Sequence, residues 1–140
     1  MTTYSVQRTI SADPQRIWDL LTDAGAYPEW NPAVLGIDGD IADGHKISLT
    51  SIVNPDRKFK LKVSDVNAPH SMVWSSGMPF GLFKGARTFT VRPTADGVSE
   101  FTMEEAYTGP MAPMITKSIP DMTDSFNQFA DGLKAAAESR

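Results

Sequence analysis

Ile115, Ile119, Met122, Phe126, Phe129 and Leu133 recur at alternating spacings of four and three, and no other feature restricts the fold as much. At 3.6 residues per turn, all six fall on one stripe of a helix. Such a stripe is stable only where another apolar surface covers it. Pro120 lies inside the run and lacks an amide hydrogen, so a kink or a fresh helix start is expected near Ser118.

The preceding sequence supplies the covering surface. From Val34 onward the pattern alternates, broken by turn signals at Asp38-Gly39, Asp43-Gly44, Asn54-Pro55, Ala68-Pro69 and Asp96-Gly97. Strands are predicted from Val34 to Ile37, Lys46 to Val53, Phe59 to Val66, Met72 to Ser76, Phe83 to Arg92 and Ser99 to Thr108. With a first strand from Tyr4 to Ile10, this makes seven, in an antiparallel meander with one wet face. Between the first two strands, Asp13-Pro14 reads as an N-cap followed by the first helical residue, the aspartate accepting from free amides. Ile17, Trp18, Leu20 and Leu21 form the apolar side of that helix, and a second short turn follows through Glu29-Trp30-Asn31-Pro32. The expectation is an α+β fold and a single domain over residues 1–140. Its seven-stranded curved antiparallel sheet wraps around a long C-terminal helix, with two short helices after the first strand.

Composition removes several kinds of chemistry. The 140 residues include no cysteine, which excludes disulfides, thiolate metal sites and a cysteine nucleophile. The net charge is −4 and basic residues are interspersed with acids, so no footprint for nucleic acid is expected. Met1 to Ile10 has no secretion-signal pattern and no apolar stretch is long enough to span a bilayer, so the expected location is cytoplasmic, without an integral membrane segment. Asp38, Asp40, Asp43 and Gly44 do not make a calcium loop, because Ala42 stands where a ligand is required. His45 and His70 are far apart and beside turns, which indicates neither a metal site nor a triad. With no phosphate loop and no dinucleotide fingerprint, no cofactor is expected.

Ala12-Asp13-Pro14-Gln15-Arg16-Ile17-Trp18-Asp19-Leu20-Leu21-Thr22-Asp23, followed by Tyr27-Pro28-Glu29-Trp30-Asn31-Pro32, resembles the opening helices and tryptophan-bearing turn of the START-like, or SRPBCC, superfamily. Within it the order of elements is similar to that of the polyketide cyclase/dehydrase group, over nearly the whole chain. The resemblance implies a helix-grip fold with a cavity between sheet and C-terminal helix, used for lipids, polyketides, hormones or other apolar molecules. It carries over no catalytic motif.

The residues themselves suggest what lines such a cavity. A turn at Thr94-Ala95-Asp96-Gly97 sets Val91 opposite Phe101, Phe89 opposite Met103 and Arg87 opposite Glu105, all on one face. Four of these six are apolar, so that face should look inward and carry the charge pair with it, followed by Gly85 and Tyr107. Trp74 falls opposite Val63 and becomes a wall residue. The loop Gly77-Met78-Pro79-Phe80-Gly81-Leu82-Phe83 is either a lid offering Phe80 and Phe83 or a closure of the barrel end. Met111, Met114 and Ile115 would add an adaptable mouth, and Met122 faces either cavity or core.

Three functions fit these residues. The first is binding of a small hydrophobic ligand, oriented by Arg87, Glu105 and Tyr107. The second is an enzyme of polyketide cyclase/dehydrase type, with Arg87 stabilising an enolate and Glu105 or Tyr107 moving protons. The third is a protein-interaction module using the groove edge. Monomer and homodimer both remain open.

Overall fold

The computed structural model describes residues 2–139. In chain order these form β1 (Thr2–Ile10), α1 (Pro14–Thr22), α2 (Tyr27–Trp30), β2 (Val34–Asp38), β3 (Lys46–Ser51), β4 (Asn54–Asn67), β5 (Ser71–Gly77), β6 (Lys84–Ala95), β7 (Val98–Thr108), α3 (Ala112–Thr116) and α4 (Thr123–Glu138). The strands make one antiparallel sheet in the order β1-β7-β6-β5-β4-β3-β2, so the first strand closes against the last. The sheet curves into a half-barrel around the C-terminal helices, as the two apolar surfaces require.

The expected register holds at its critical places. Arg87 pairs with Glu105, Phe89 with Met103, Val91 with Phe101 and Gly85 with Tyr107, while Trp74 pairs with Val63 on one side and Arg87 on the other. Because side chains alternate with period two, one register fixes the whole inner face.

Two local expectations are corrected. Asp13 stands at the N-cap of α1 and Pro14 opens the helix, but the aspartate side chain caps nothing. The turn between β3 and β4 lies at Ile52-Val53 rather than Asn54-Pro55, since Ser51 already pairs with Asn54. The register shift between Leu49 and Ser51 leaves residues 55–58 bulged out, which frees Pro55 from donating to the ladder. The break expected in the C-terminal stripe is present. Residues 117–122 interrupt the stripe around Pro120, and α4 starts at Thr123, whose N–H and hydroxyl both donate to Asp121 Oδ1 (2.9 and 2.7 Å).

Phe126, Phe129, Ala130, Leu133 and Ala137 of α4 are buried against the concave face, where Phe129 lies parallel to Phe101 with ring centroids 6.5 Å apart. Polar contacts pin the helix to its neighbours. Arg8 of β1 bonds Asp131 and Asn127 (both 2.8 Å), and Lys134 Nζ donates to the Thr9 carbonyl at 2.6 Å. Arg16 of α1 donates to the carbonyls of Ala136 and Ser139, which satisfies acceptors left free at the end of α4. α4 and the turn after α2 touch at Gly132, where a Cβ would meet the Trp30 carbonyl oxygen at 2.3 Å.

Candidate functional site

Between the inner face of the sheet and the α3–α4 segment lies a cavity of about 340 Å³. Trp74, Phe83, Arg87, Met103, Glu105, Tyr107, Ile115 and Met122 line it among the residues expected from the sequence. Their convergence follows from register: Trp74, Arg87 and Glu105 stand side by side across β5, β6 and β7.

The polar centre is a chain of three side chains. Arg87 Nε donates to Glu105 Oε1 at 3.2 Å, and the Tyr107 hydroxyl donates to Glu105 Oε2 at 2.5 Å, as expected for a phenol on a charged carboxylate. The Arg87 and Glu105 side chains are only 12% and 16% exposed. The Arg87 guanidinium lies over the Phe126 ring, 4.7 Å from its centroid, so an aromatic face takes part of the charge that water would otherwise solvate. Gly85 makes room for Tyr107, because a Cβ there would stand 3.4 Å from the ring. Glu105 is the only acceptor that Arg87 finds among the described residues, which leaves its terminal Nη hydrogens for a guest. The indole N–H of the wall residue Trp74 is likewise buried without an acceptor among the described residues.

Burial raises the pKa of the Tyr107 phenol, and the neighbouring Glu105 charge and hydrogen bond push the same way against Arg87. Tyr27 is raised too, by burial opposed by Arg87. Unfolded phenols ionise near pH 10. Above that pH the folded chain therefore holds more protons than the unfolded one, and stability falls as pH rises. The urea midpoint should be level from neutral pH to about pH 10 and decline above it, more gently in Tyr107→Phe than in wild type. Identical slopes in the two proteins would contradict this assignment.

Three expected site residues lie elsewhere. Phe80 is 99% exposed at the tip of its loop, so its side chain does not enter the cavity. Only Phe83 of that segment reaches inward, stacking on Tyr107 at 6.0 Å and 14°. Phe89 is fully buried behind the wall, with its ring 4.6 Å from Trp74, and serves the core. Met111 is half-buried after β7, its N–H bonded to the Leu82 carbonyl, away from the cavity.

Residues not anticipated also line the space. Phe59 and Leu61 share the inner phase of β4 with Val63, so extending the period-two pattern would have found them. Arg57, lying over Phe59 at 5.0 Å, puts an exposed cation at the rim. Buried Ser51 and Ser125 add hydroxyls that no local motif marks.

The polyketide cyclase / dehydrase and lipid transport family matches residues 1–138. No curated protein sequence matches the chain. Among solved structures, protein MLL2253 from Mesorhizobium loti is similar with a TM-score of 0.71 and 22% identity, over 96% of each chain. A START superfamily protein from Mycobacterium smegmatis is similar with a TM-score of 0.70 and 16% identity, over 97% of each chain. The di-domain ARO/CYC protein BexL of a biosynthetic pathway aligns over 99% of this chain and 47% of its own, at 15% identity and a TM-score of 0.70. At such identities the structural likeness speaks for the fold alone, while the family match spans nearly every residue. The chain belongs to the polyketide cyclase / dehydrase and lipid transport family, with a START-like helix-grip fold.

Proposed function

We propose that the protein binds a small hydrophobic molecule carrying an oxygen acceptor, such as a carboxylate, a phenolate or a conjugated carbonyl. One observation supports this above others: a cavity walled largely by apolar side chains holds the mostly buried Arg87 guanidinium, whose only acceptor among the described residues is Glu105, reached through Nε. A guest that offers an acceptor to the unused Nη donors gains a charge-assisted hydrogen bond in a mostly desolvated setting. A volume of about 340 Å³ suits a molecule of modest size rather than a full two-chain lipid. The family to which the chain belongs, and the ARO/CYC and START relatives of its fold, point the same way.

Binding is favoured over turnover because neither candidate base is free. Glu105 accepts from both Arg87 and Tyr107, and the Tyr107 phenol holds its proton tightly. The test is displacement of an anilinonaphthalene sulfonate dye by matched pairs of aromatic carboxylic acids and their parent hydrocarbons. The acids should displace the dye at concentrations about tenfold lower, and Arg87→Met should erase the difference. Equal potency of acid and hydrocarbon in wild type, or no displaceable dye, would refute the assignment.

A further inference from the structure

Two segments of the cavity mouth contain no charged residue at all: 77–83 (Gly-Met-Pro-Phe-Gly-Leu-Phe) and 109–116 (Gly-Pro-Met-Ala-Pro-Met-Ile-Thr). They are tied together, since the Met111 N–H donates to the Leu82 carbonyl at 2.9 Å and Gly109 packs against that carbonyl so closely that a Cβ would meet its oxygen at 2.6 Å. From this joint tip four large apolar side chains stand in solvent: Phe80 (99% exposed), Met114 (61%), Met78 (40%) and Leu82 (37%). The backbone holds Phe80 in that position, because Phe80 and Gly81 both adopt positive φ (60° and 67°), a conformation unusual for an aromatic residue.

Three lysines adjoin the tip. Lys84 and Lys117 each follow directly on one of the two uncharged segments, and Lys62 shares a shallow surface depression with Met78 and Lys84. All three lysines are exposed, and none has an ion-pair partner among the described residues. The carboxylates nearest in sequence to the second segment are Glu105, engaged inside the cavity, then Glu104 on the opposite face of β7 and Asp121, which accepts from Thr123.

We propose that this tip docks on an anionic lipid bilayer, with Phe80, Met78, Leu82 and Met114 entering the interface and Lys62, Lys84 and Lys117 meeting the headgroups. Exposed apolar side chains ringed by lysines complement such a surface. The net charge of −4 does not oppose it, since at physiological salt a distant charge is screened beyond about 8 Å and the lysines at the contact dominate. A second copy is disfavoured, because a two-fold contact through this patch would set the three lysines against their own counterparts. Phe83 and Ile115 belong to the same two segments and line the cavity, so docking would bring the mouth against the bilayer. The docking itself does not depend on what occupies the cavity.

The test is co-sedimentation of the full chain with phosphatidylcholine vesicles and with vesicles containing about one quarter phosphatidylglycerol. Binding should be at least about tenfold stronger to the anionic vesicles and should weaken with salt. The double variant Phe80→Ser/Met114→Ser should bind about tenfold less or worse at an unchanged melting temperature, since both side chains already face water. Lys84→Gln and Lys117→Gln should each cost about fivefold. Equal binding to both vesicle types, no binding, or tip variants that bind like wild type would overturn the proposal. So would a dimer in solution that the tip variants dissociate, which would assign the patch to a second copy. Dye binding in the cavity does not need Phe80, so either reading can fail while the other stands.

Discussion

Arg87→Met is expected to lower the unfolding free energy by about 3 kcal/mol, as urea denaturation would measure it. The substitution keeps most of the side-chain volume but removes the only cation that contacts Glu105 among the described residues. That carboxylate is mostly buried and would retain only the Tyr107 hydroxyl. Breaking one side of a buried pair costs about 3–5 kcal/mol because the remaining charge is uncompensated. The lower end applies here, since Tyr107 still donates and the cavity admits water. Adding Glu105→Gln to Arg87→Met removes the orphan charge while keeping an acceptor for Tyr107, so the double variant should recover at least half of the loss. If it recovers nothing, the stability came instead from the guanidinium packed on Phe126. Unchanged stability in Arg87→Met, together with unchanged ligand binding, would remove the pair from both roles.

Gly132→Ala should cost about 3 kcal/mol, although helix propensity alone argues for a gain of about 1 kcal/mol from the same change. Gly132 sits in the middle of α4, where an isolated helix prefers alanine. In the folded chain the new Cβ would lie 2.3 Å from the Trp30 carbonyl oxygen and 2.9 Å from Pro32 Cδ. The first of these is rigid backbone, so α4 would have to move away from the α2 turn. That would disturb the edge-on contact of Trp30 with Phe129 (5.8 Å) and the seating of Phe129 among Tyr27, Phe89 and Phe101. A melting temperature raised by the substitution would mean that the two elements are not in fixed contact.

These two substitutions mark different limits of sequence reading. The inward phase of Arg87 and Glu105 is legible because one turn sets the register and the period of two propagates it along the strands. Their neighbours Phe59 and Leu61 obey the same rule along β4. Phe89 obeys it as well, yet it is core and not cavity wall, since period two states which face a side chain is on and not how deeply a helix covers it. Phe80 shows the same limit in reverse. Four apolar residues within one short loop read as either a lid or a closure of the barrel end, whereas the ring of Phe80, at positive φ, stands out in solvent.

Periodicity and turn chemistry were enough to determine the strands, the one-sided C-terminal stripe, the break at Pro120 and the pairing that brings Arg87, Glu105 and Tyr107 together. All of these follow from local geometry that repeats along the chain. The hollow left beside Phe129, the contact that forbids a side chain at Gly132, and the outward turn of Phe80 were decided by the tertiary structure. Each depends on distances between segments far apart in the chain, and no local pattern encodes those distances.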